Sequence, residues 1–314
     1  MSDLLPRYPL ILNPKAKSEK GRRALKFIMA HATRFTIYAT RSREEAVELS
    51  RKFADEGEEL IIAAGGDGTL NAVVEGLAGS KTALGVFPTG TMNVFAREMG
   101  IPYDRLENAM EVIDHGHSEE VDLFAMNGAP FVQMAGVGFD ARVIEETPWK
   151  HKKRFGPFAY LWATAKVLRS KPPILQVECA DGRKLEGVAL LIGNGSLYGG
   201  QFPLFKNASN RDQLLDVIVF KESGYQLVKD SLKALIKGGI DPDSHGDSVK
   251  YLQAAGLTVT CPEEVPVEVD GELWGRSRKM VFSSLDKTLR VFAPEEPKVK
   301  FRYALLKILS PWQD

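Results

Sequence analysis

The chain has 314 residues, 44% hydrophobic and 26% charged, which is the make-up of a folded globular chain long enough for two ordinary domains. Its 41 basic and 41 acidic side chains cancel, which excludes a bulk nucleic-acid binder, so any anion binding must come from local placement. No apolar run approaches the roughly 20 residues that span a bilayer. Met1 to Pro9 lacks the basic end and apolar core of a secretory leader, so a cytoplasmic chain is expected. Cys179, Cys261 and the five histidines fall in no metal-ligand spacing, and two buried free thiols are expected.

The first third alternates strand and helix signals. Residues 8–12 read as a short strand ending at Asn13-Pro14. Residues 18–30 have helical spacing, with Leu25, Ile28 and Met29 on one side. Residues 34–39 form a second strand. Ser42 and Glu45 make a capping box for a helix carrying Ala46, Val47, Leu49 and Phe53 before Gly57. A third strand, residues 60–64, stops at Gly65-Gly66-Asp67-Gly68-Thr69, a tight glycine turn into a helix that runs to about Leu77. Glycines there admit a ligand against the main chain, and free N–H groups at the helix start attract phosphate. Residues 83–87 are a fourth strand, and Pro88-Thr89-Gly90 turns into another helix. This alternation predicts a parallel sheet covered on both faces, with ligands beyond its carboxyl ends. Asn13, Thr40, Gly65 and Thr89 sit at those ends, so four loops converge on one cleft.

Beyond residue 120 the chain becomes strand-rich, at 121–126, 130–135, 175–180, 185–192, 214–220, 257–261, 265–269, 280–282 and 289–292. Asn127-Gly128, Asp181-Gly182 and Asp270-Gly271 are hairpin signals. An antiparallel sandwich or barrel is expected, interrupted by helices at 158–169 and 225–237. Residues 298–312 read as a helix, basic at its start, that docks on the first domain or touches a membrane surface through Trp312.

The loop residues carry the chemistry. Asn13-Pro14-Lys15, Thr40, the Gly65 to Asn71 segment and Gly90-Thr91-Met92-Asn93-Val94-Phe95-Ala96-Arg97 each offer backbone N–H groups, a hydroxyl or a cation to the cleft. Lys15, Lys17 and Arg97 are candidates to offset phosphate charge. Four such loops favour a nucleotide. Together with Gly100-Ile101-Pro102 and Val269-Asp270-Gly271-Glu272, they resemble the diacylglycerol kinase catalytic-domain family, which includes sphingosine, ceramide and soluble bacterial lipid kinases. The resemblance spans roughly residues 8 to 293. The first glycine motif is shared with NAD kinases and 6-phosphofructokinases, whereas the Gly90 to Pro102 stretch is more specific to lipid kinases.

The resemblance implies an α/β plus β, NAD kinase/diacylglycerol kinase-like two-domain fold. Residues 1–122 would be a Rossmann-like domain, with a helix at 298–314 packing back on it. Residues 123–297 would be an antiparallel β-sandwich that takes the lipid. ATP would lie between the two, contacted by Asn13, Pro14, Lys15, Ala16, Lys17, Thr40, Gly65, Gly66, Asp67, Gly68, Thr69, Leu70, Asn71, Thr91 and Asn93. Glu272 matches the proton acceptor. Asp270 and Asp67 match acidic positions that help hold magnesium or the phosphates, and in some relatives the aspartate matching Asp67 is itself called the base. The implied reaction moves the γ-phosphate of ATP to the hydroxyl of a lipid, diacylglycerol first, with Mg²⁺ spreading the developing charge.

A second, structural magnesium is implied at Asp212 with the carbonyl oxygens of Ser209 and Leu214. Two departures stand out. The chain has Asp212-Gln213 where relatives carry Asp-Gly, and Ala16-Lys17 where many carry Ser-Gly. Phe155, Phe158, Tyr160, Leu161 and Trp162 suit a core or an apolar lipid channel. The expected partner is a lipid alcohol met transiently at a membrane surface, with no nucleic acid, and a homodimer is left open. An NAD kinase-like small-molecule kinase and a catalytically silent lipid- or nucleotide-binding protein remain as other readings.

Overall fold

Four strands, β1 (Tyr8–Leu12), β2 (Phe35–Ala39), β3 (Leu60–Gly65) and β4 (Ala83–Pro88), lie parallel in the order β4-β3-β1-β2. Residues 60–64 of β3 are buried on both faces, as helices on both sides of a parallel sheet require. The computed structural model describes residues 7–14, 19–146, 167, 171–227, 229–230, 237–240 and 248–295. Lys15, Ala16, Lys17, the aromatic run from Phe155 to Trp162, nearly all of the helix expected at 158–169 and the tail at 298–314 lie outside the described residues.

The helices of this half are α1 (Glu19–Ala30), α2 (Arg43–Asp55), α3 (Asp67–Leu77), α4 (Val94–Glu98) and α5 (Leu106–His115). The α1 face differs from expectation. Ala24 and Ile28 enter the core, while Leu25 is 46% and Met29 60% exposed. Both stripes satisfy the helical period, and the sheet takes the one with the smaller residue. At α2, Ser42 Oγ accepts from the Glu45 N–H at 3.3 Å as expected, but the Glu45 carboxylate reaches the N–H of Arg41, one residue before the cap. The sequence gives no cue for α5, because Gly100 and Pro102 read as an extended link; it buries Ala109, Met110, Val112 and Ile113.

The second half contains β5 (His117–Met126), β6 (Ala129–Phe131), β7 (Met134–Val137), α6 (Phe139–Glu145), β8 (Leu175–Cys179), β9 (Lys184–Gly187), β10 (Ala189–Gly193), β11 (Leu197–Tyr198), β12 (Phe202–Pro203), β13 (Leu215–Phe220) and β14 (Val249–Ala254). Two long strands follow, β15 (Gly256–Val269) and β16 (Glu272–Ala293). The strand expected at 130–135 divides into β6 and β7, and that at 185–192 into β9 and β10. Conversely, the two expected at 257–261 and 265–269 are one strand with a bulge, and 280–282 with 289–292 belong to β16. The helix α6 and strand β14 were not expected. Asn127-Gly128 and Asp270-Gly271 take positive φ at both residues (49° and 84°, 48° and 82°), the mirror-image turn that suits tight hairpins.

β16 joins the halves. It pairs antiparallel with β15 and β5, and parallel with β4 at Val291–Leu84, giving one 14-stranded sheet. The first core holds Leu10, Ile62, Val73, Phe87 and Phe95, and also Leu289 and Val291 from the end of β16. The second core holds Phe124, Phe131, Val177, Val217, Val267 and Phe282. Cys179 and Cys261 are both free and buried, as expected. Among the described residues no helix is long and apolar enough to cross a membrane.

Candidate active site

β3 and β4 end side by side, and their glycine loops touch through the main chain. Thr89 N–H donates to Gly65 O at 2.9 Å, and a Cβ on Gly66 would come within 3.2 Å of Gly90 Cα. Any side chain at either position would push the loops apart. No side chain caps α3 at Gly66; the Thr69 and Leu70 N–H groups close its first turn on Gly66 O, at 3.0 Å each.

Glu272 enters from the other half of the chain. The Asp270-Gly271 turn carries it over α3, where a Cβ on Gly68 would overlap Glu272 Oε1. A cleft of about 330 Å³ is lined by Asn13, Thr40, Arg41, Ser42, Arg43, Gly66, Gly68, Thr69 and Glu272, with Ala46 and Ala72. The structure therefore brings together Asn13, Thr40, Gly66, Gly68, Thr69 and Glu272 from the expected set. Thr40 donates from N–H to Leu12 O at 2.9 Å, fixing its hydroxyl at the sheet edge. Arg41, Ser42 and Arg43 were missed. They lead into α2, with Ser42 as its cap and Arg43 its first residue, and their only sequence signal was that cap, which says nothing of ligands.

The other expected residues do different work. Leu70 belongs to the first core. Thr91 is exposed on the β4–α4 loop, outside the cleft lining. Asn93 closes that loop on itself: its Oδ1 accepts from Gly90 N–H at 3.0 Å and its Nδ2 donates to Gly90 O at 2.9 Å, with φ at 50°. Asp67 accepts from Asn93 N–H at 2.9 Å and Val94 N–H at 2.7 Å, so its carboxylate caps α4 and binds the two glycine loops together. Burial pushes the Asp67 carboxyl up, and those N–H groups oppose the shift.

Asp270 is held harder still. Its Oδ1 accepts from the N–H groups of Gln133 and Met134, both at 2.9 Å. Its Oδ2 accepts from Val132 N–H at 3.1 Å and from Asn71 Nδ2 at 2.6 Å. Burial raises its pKa against these four donors. Asn71 in turn accepts from Arg43 at 2.7 Å, and Arg43 pairs with Glu75 at 2.7 Å. Asp270 thus pins the β15–β16 hairpin to α3. Glu272, by contrast, is exposed, and its carboxylate has no hydrogen-bond partner among the described residues, which leaves its lone pairs available.

A second acidic group lies under β13. Asp212 Oδ1 accepts from Leu214 N–H at 3.0 Å, and Asp122 Oδ2 from Gln213 N–H at 2.7 Å. Gln213 takes φ of 58°, the left-handed conformation that a glycine would adopt without strain. Asp216 is pushed up to about 6, mainly by burial, with the Asp212 charge adding to it. Its Oδ2 is buried without a partner. Among the described residues, no three His, Cys, Asp or Glu side chains converge enough to hold a metal alone, so a cation there needs main-chain carbonyls as well.

The chain thus joins a Rossmann-like half and a β-sandwich half, with a cleft lined by glycine loops of one and a carboxylate of the other. The pattern described as the diacylglycerol kinase catalytic domain matches residues 7–126, and that described as the YegS C-terminal NAD kinase beta sandwich-like domain matches 133–293. A diacylglycerol kinase of Staphylococcus aureus (strain bovine RF122 / ET3-1) is 32% identical over 299 residues, covering 92% of this chain and 93% of that one. A crystal structure assigned to the diacylglycerol kinases, from Bacillus anthracis str. Sterne, superposes with a TM-score of 0.73 at 26% identity, covering 93% of this chain and 99% of that one. A further Bacillus anthracis str. Sterne structure shares the fold, with a TM-score of 0.69 at 24% identity over 94% of this chain and 99% of that one. The chain belongs to the diacylglycerol kinase family, and at that level it is a lipid kinase.

Proposed function

We propose that the cleft binds ATP, with its phosphates against the first turn of α3, and that Glu272 accepts the proton of a lipid hydroxyl as the γ-phosphoryl group reaches it. Diacylglycerol is the first candidate for that lipid. The observation that carries this reading is Glu272 packed over Gly68 with no partner of its own, while Asp67 and Asp270 are saturated by N–H donors. A general base needs a free lone pair within reach of the proton. Glu272 has one; Asp67 and Asp270 have the bonding of braces. Gly68 and the Thr69 side chain, at the start of α3, line the phosphate side and are the proposed donors there.

Mg²⁺, bound with ATP, supplies charge neutralisation as the phosphoryl group transfers. Because the Asp67 and Asp270 oxygens already accept hydrogen bonds, we assign this ion to the nucleotide phosphates rather than to an all-protein cage, in keeping with its reluctance to shed water. The Asp212 group suits a separate divalent ion, because the charge of Asp212 acts on the carboxyls of both Asp122 and Asp216 and a cation would offset it. Asp212 with the Ser209 and Leu214 carbonyls would hold it. The lipid is proposed to come from a membrane surface.

The test is phosphoryl transfer from ATP with Mg²⁺ to a panel of diacylglycerol, sphingoid, ceramide and other lipid alcohols, with NAD as a separate arm. Glu272→Gln is expected to lower kcat on the order of 10²–10⁴-fold while ATP still binds. A folded, nucleotide-bound protein that labels no lipid would end the proposal, and labelling of NAD instead would redirect it.

A further inference from the structure

Glu98 is the last residue of α4, in the first half, yet its carboxylate is engaged by the second half. Oε1 accepts from Ser196 N–H at 3.0 Å and from the Ser196 hydroxyl at 2.9 Å. Oε2 accepts from Leu197 N–H at 2.8 Å and from Gln133 Nε2 at 3.0 Å. The main chain is shaped for this contact. A Cβ on Gly195 would lie 2.6 Å from Gln133 Nε2 and 2.8 Å from the Glu98 carboxyl carbon. Four donors meeting on two oxygens suit a carboxylate alone, because an amide would turn its own NH₂ into two of them.

The bonds continue from there to the hairpin. Gln133 N–H donates to Asp270, Asp270 accepts from Asn71 on α3, and Asp67 at the start of α3 accepts from the first turn of α4. The path closes on itself: α4 to Glu98, to Gln133, to Asp270, to Asn71, along α3 to Asp67, and back to α4. It crosses between the halves twice. Its Asp270 corner is two residues from Glu272. Glu98 itself lines no part of the nucleotide cleft.

We propose that Glu98 is a positioning residue of this kinase, an interdomain clasp that sets the height of the Asp270–Glu272 turn over Gly68. The inference rests on the reading of Glu272 as base, and it adds a residue outside the cleft on which that base depends. Without the clasp, the first half keeps its loops and its nucleotide, but the base is no longer held at reacting distance.

Glu98→Gln and Gly195→Ala in the full chain test this. The first replaces two acceptor lone pairs with donors; the second crowds the carboxylate out of its seat. Both are expected to lower kcat about 100-fold, the cost of a misplacement near 1 Å. The KM for ATP and a stoichiometry of one nucleotide per chain should hold, and hydrogen exchange at the Ser196 and Leu197 amides should speed up. The double variant should be no slower than the worse single one. Wild-type kcat in Glu98→Gln, or unchanged exchange at those two amides, overturns the clasp. So does loss of nucleotide stoichiometry in step with kcat in both variants, which would make Glu98 a folding residue only. A wild-type chain that phosphorylates no lipid strikes the reading of Glu272 itself, and that result is visible before either variant is made.

Discussion

Gly68 has no side chain because Glu272 occupies the space where one would go. Its φ is not positive, so the constraint is crowding and not backbone strain. Gly68→Ala should therefore separate stability from activity. Alanine favours a helix over glycine by about 1 kcal/mol, so the melting temperature should hold or rise. Glu272 must move, and kcat should fall by about 10²-fold. Thermal melts beside steady-state kinetics check both, and a fully active Gly68→Ala would place Glu272 away from the reaction. Asp67→Asn should do the reverse. The amide NH₂ meets an α4 N–H, leaving a buried donor unpaired at a cost of about 1–3 kcal/mol, seen as a lower urea midpoint. These glycines and Asp67 were legible in the sequence because glycine runs at strand ends have few other uses. Arg43 and Glu98 were not, since a charged residue on a helix reads as solvated until its distant partners are known.

At the scale of elements, the strands that closed short turns were legible and the long ones were not. Asn127-Gly128 and Asp270-Gly271 fixed two hairpins from four residues. The continuity of β15 and β16 was hidden, because their polar stretches look like loops when the paired strand is unknown. Glu268 shows what such a stretch can conceal. It is 1% exposed within β15, its Oε2 accepts from Gly271 N–H at 2.9 Å, and its Oε1 has no partner. Burial, and then the charge of Asp140, push its carboxyl well above the usual range. Tyr198 donates to Asp140 at 2.6 Å on the far side. The sign follows from proton binding. As pH rises past the ordinary carboxylate range the unfolded chain loses this proton and the folded chain keeps it, so stability falls with rising pH. Glu268→Gln removes that penalty. Its urea midpoint should exceed that of the wild type by more at pH 8 than at pH 5; an equal margin at both would show that Glu268 ionises freely in the fold. The Asp212 turn makes a different prediction. Ligands that bind only the folded state stabilise by about 2.7 kcal/mol at a hundred times Kd. Mg²⁺ should raise the melting temperature relative to chelator even without ATP, and Asp212→Ala should abolish that rise. A rise that survives Asp212→Ala would move the ion elsewhere.

The whole molecule is tied together by one strand. β16 begins at Glu272 in the cleft and ends at Ala293 in the core of the opposite half. The sequence shows a change of character near residue 120, which invites a cut there, and it shows a strand at 289–292 but not that this strand returns to pair with β4. Leu289, Val291 and Ala293 are buried in the first core, where Val291 pairs with Leu84 of β4 and residues 288–293 pair with β5. A fragment of residues 1–126 keeps every glycine loop and loses all of this. Burying each large apolar side chain contributes about 1.5–3 kcal/mol, and a whole domain is stable by only about 5–15 kcal/mol. Removing Leu289 and Val291 therefore takes much of the margin, and it leaves β4 and β5 with open edges that invite aggregation. The fragment is expected to lack a cooperative thermal transition. The same fragment with residues 285–295 tethered behind residue 126 should regain one, because the missing strand is restored without the rest of the sandwich. That tethered form should bind ATP through the α3 turn and transfer nothing, since Glu272 is absent from it. A sharp transition in the bare fragment would show that the first half is complete without β16, and the position of Glu272 would then have to be set by the second half alone.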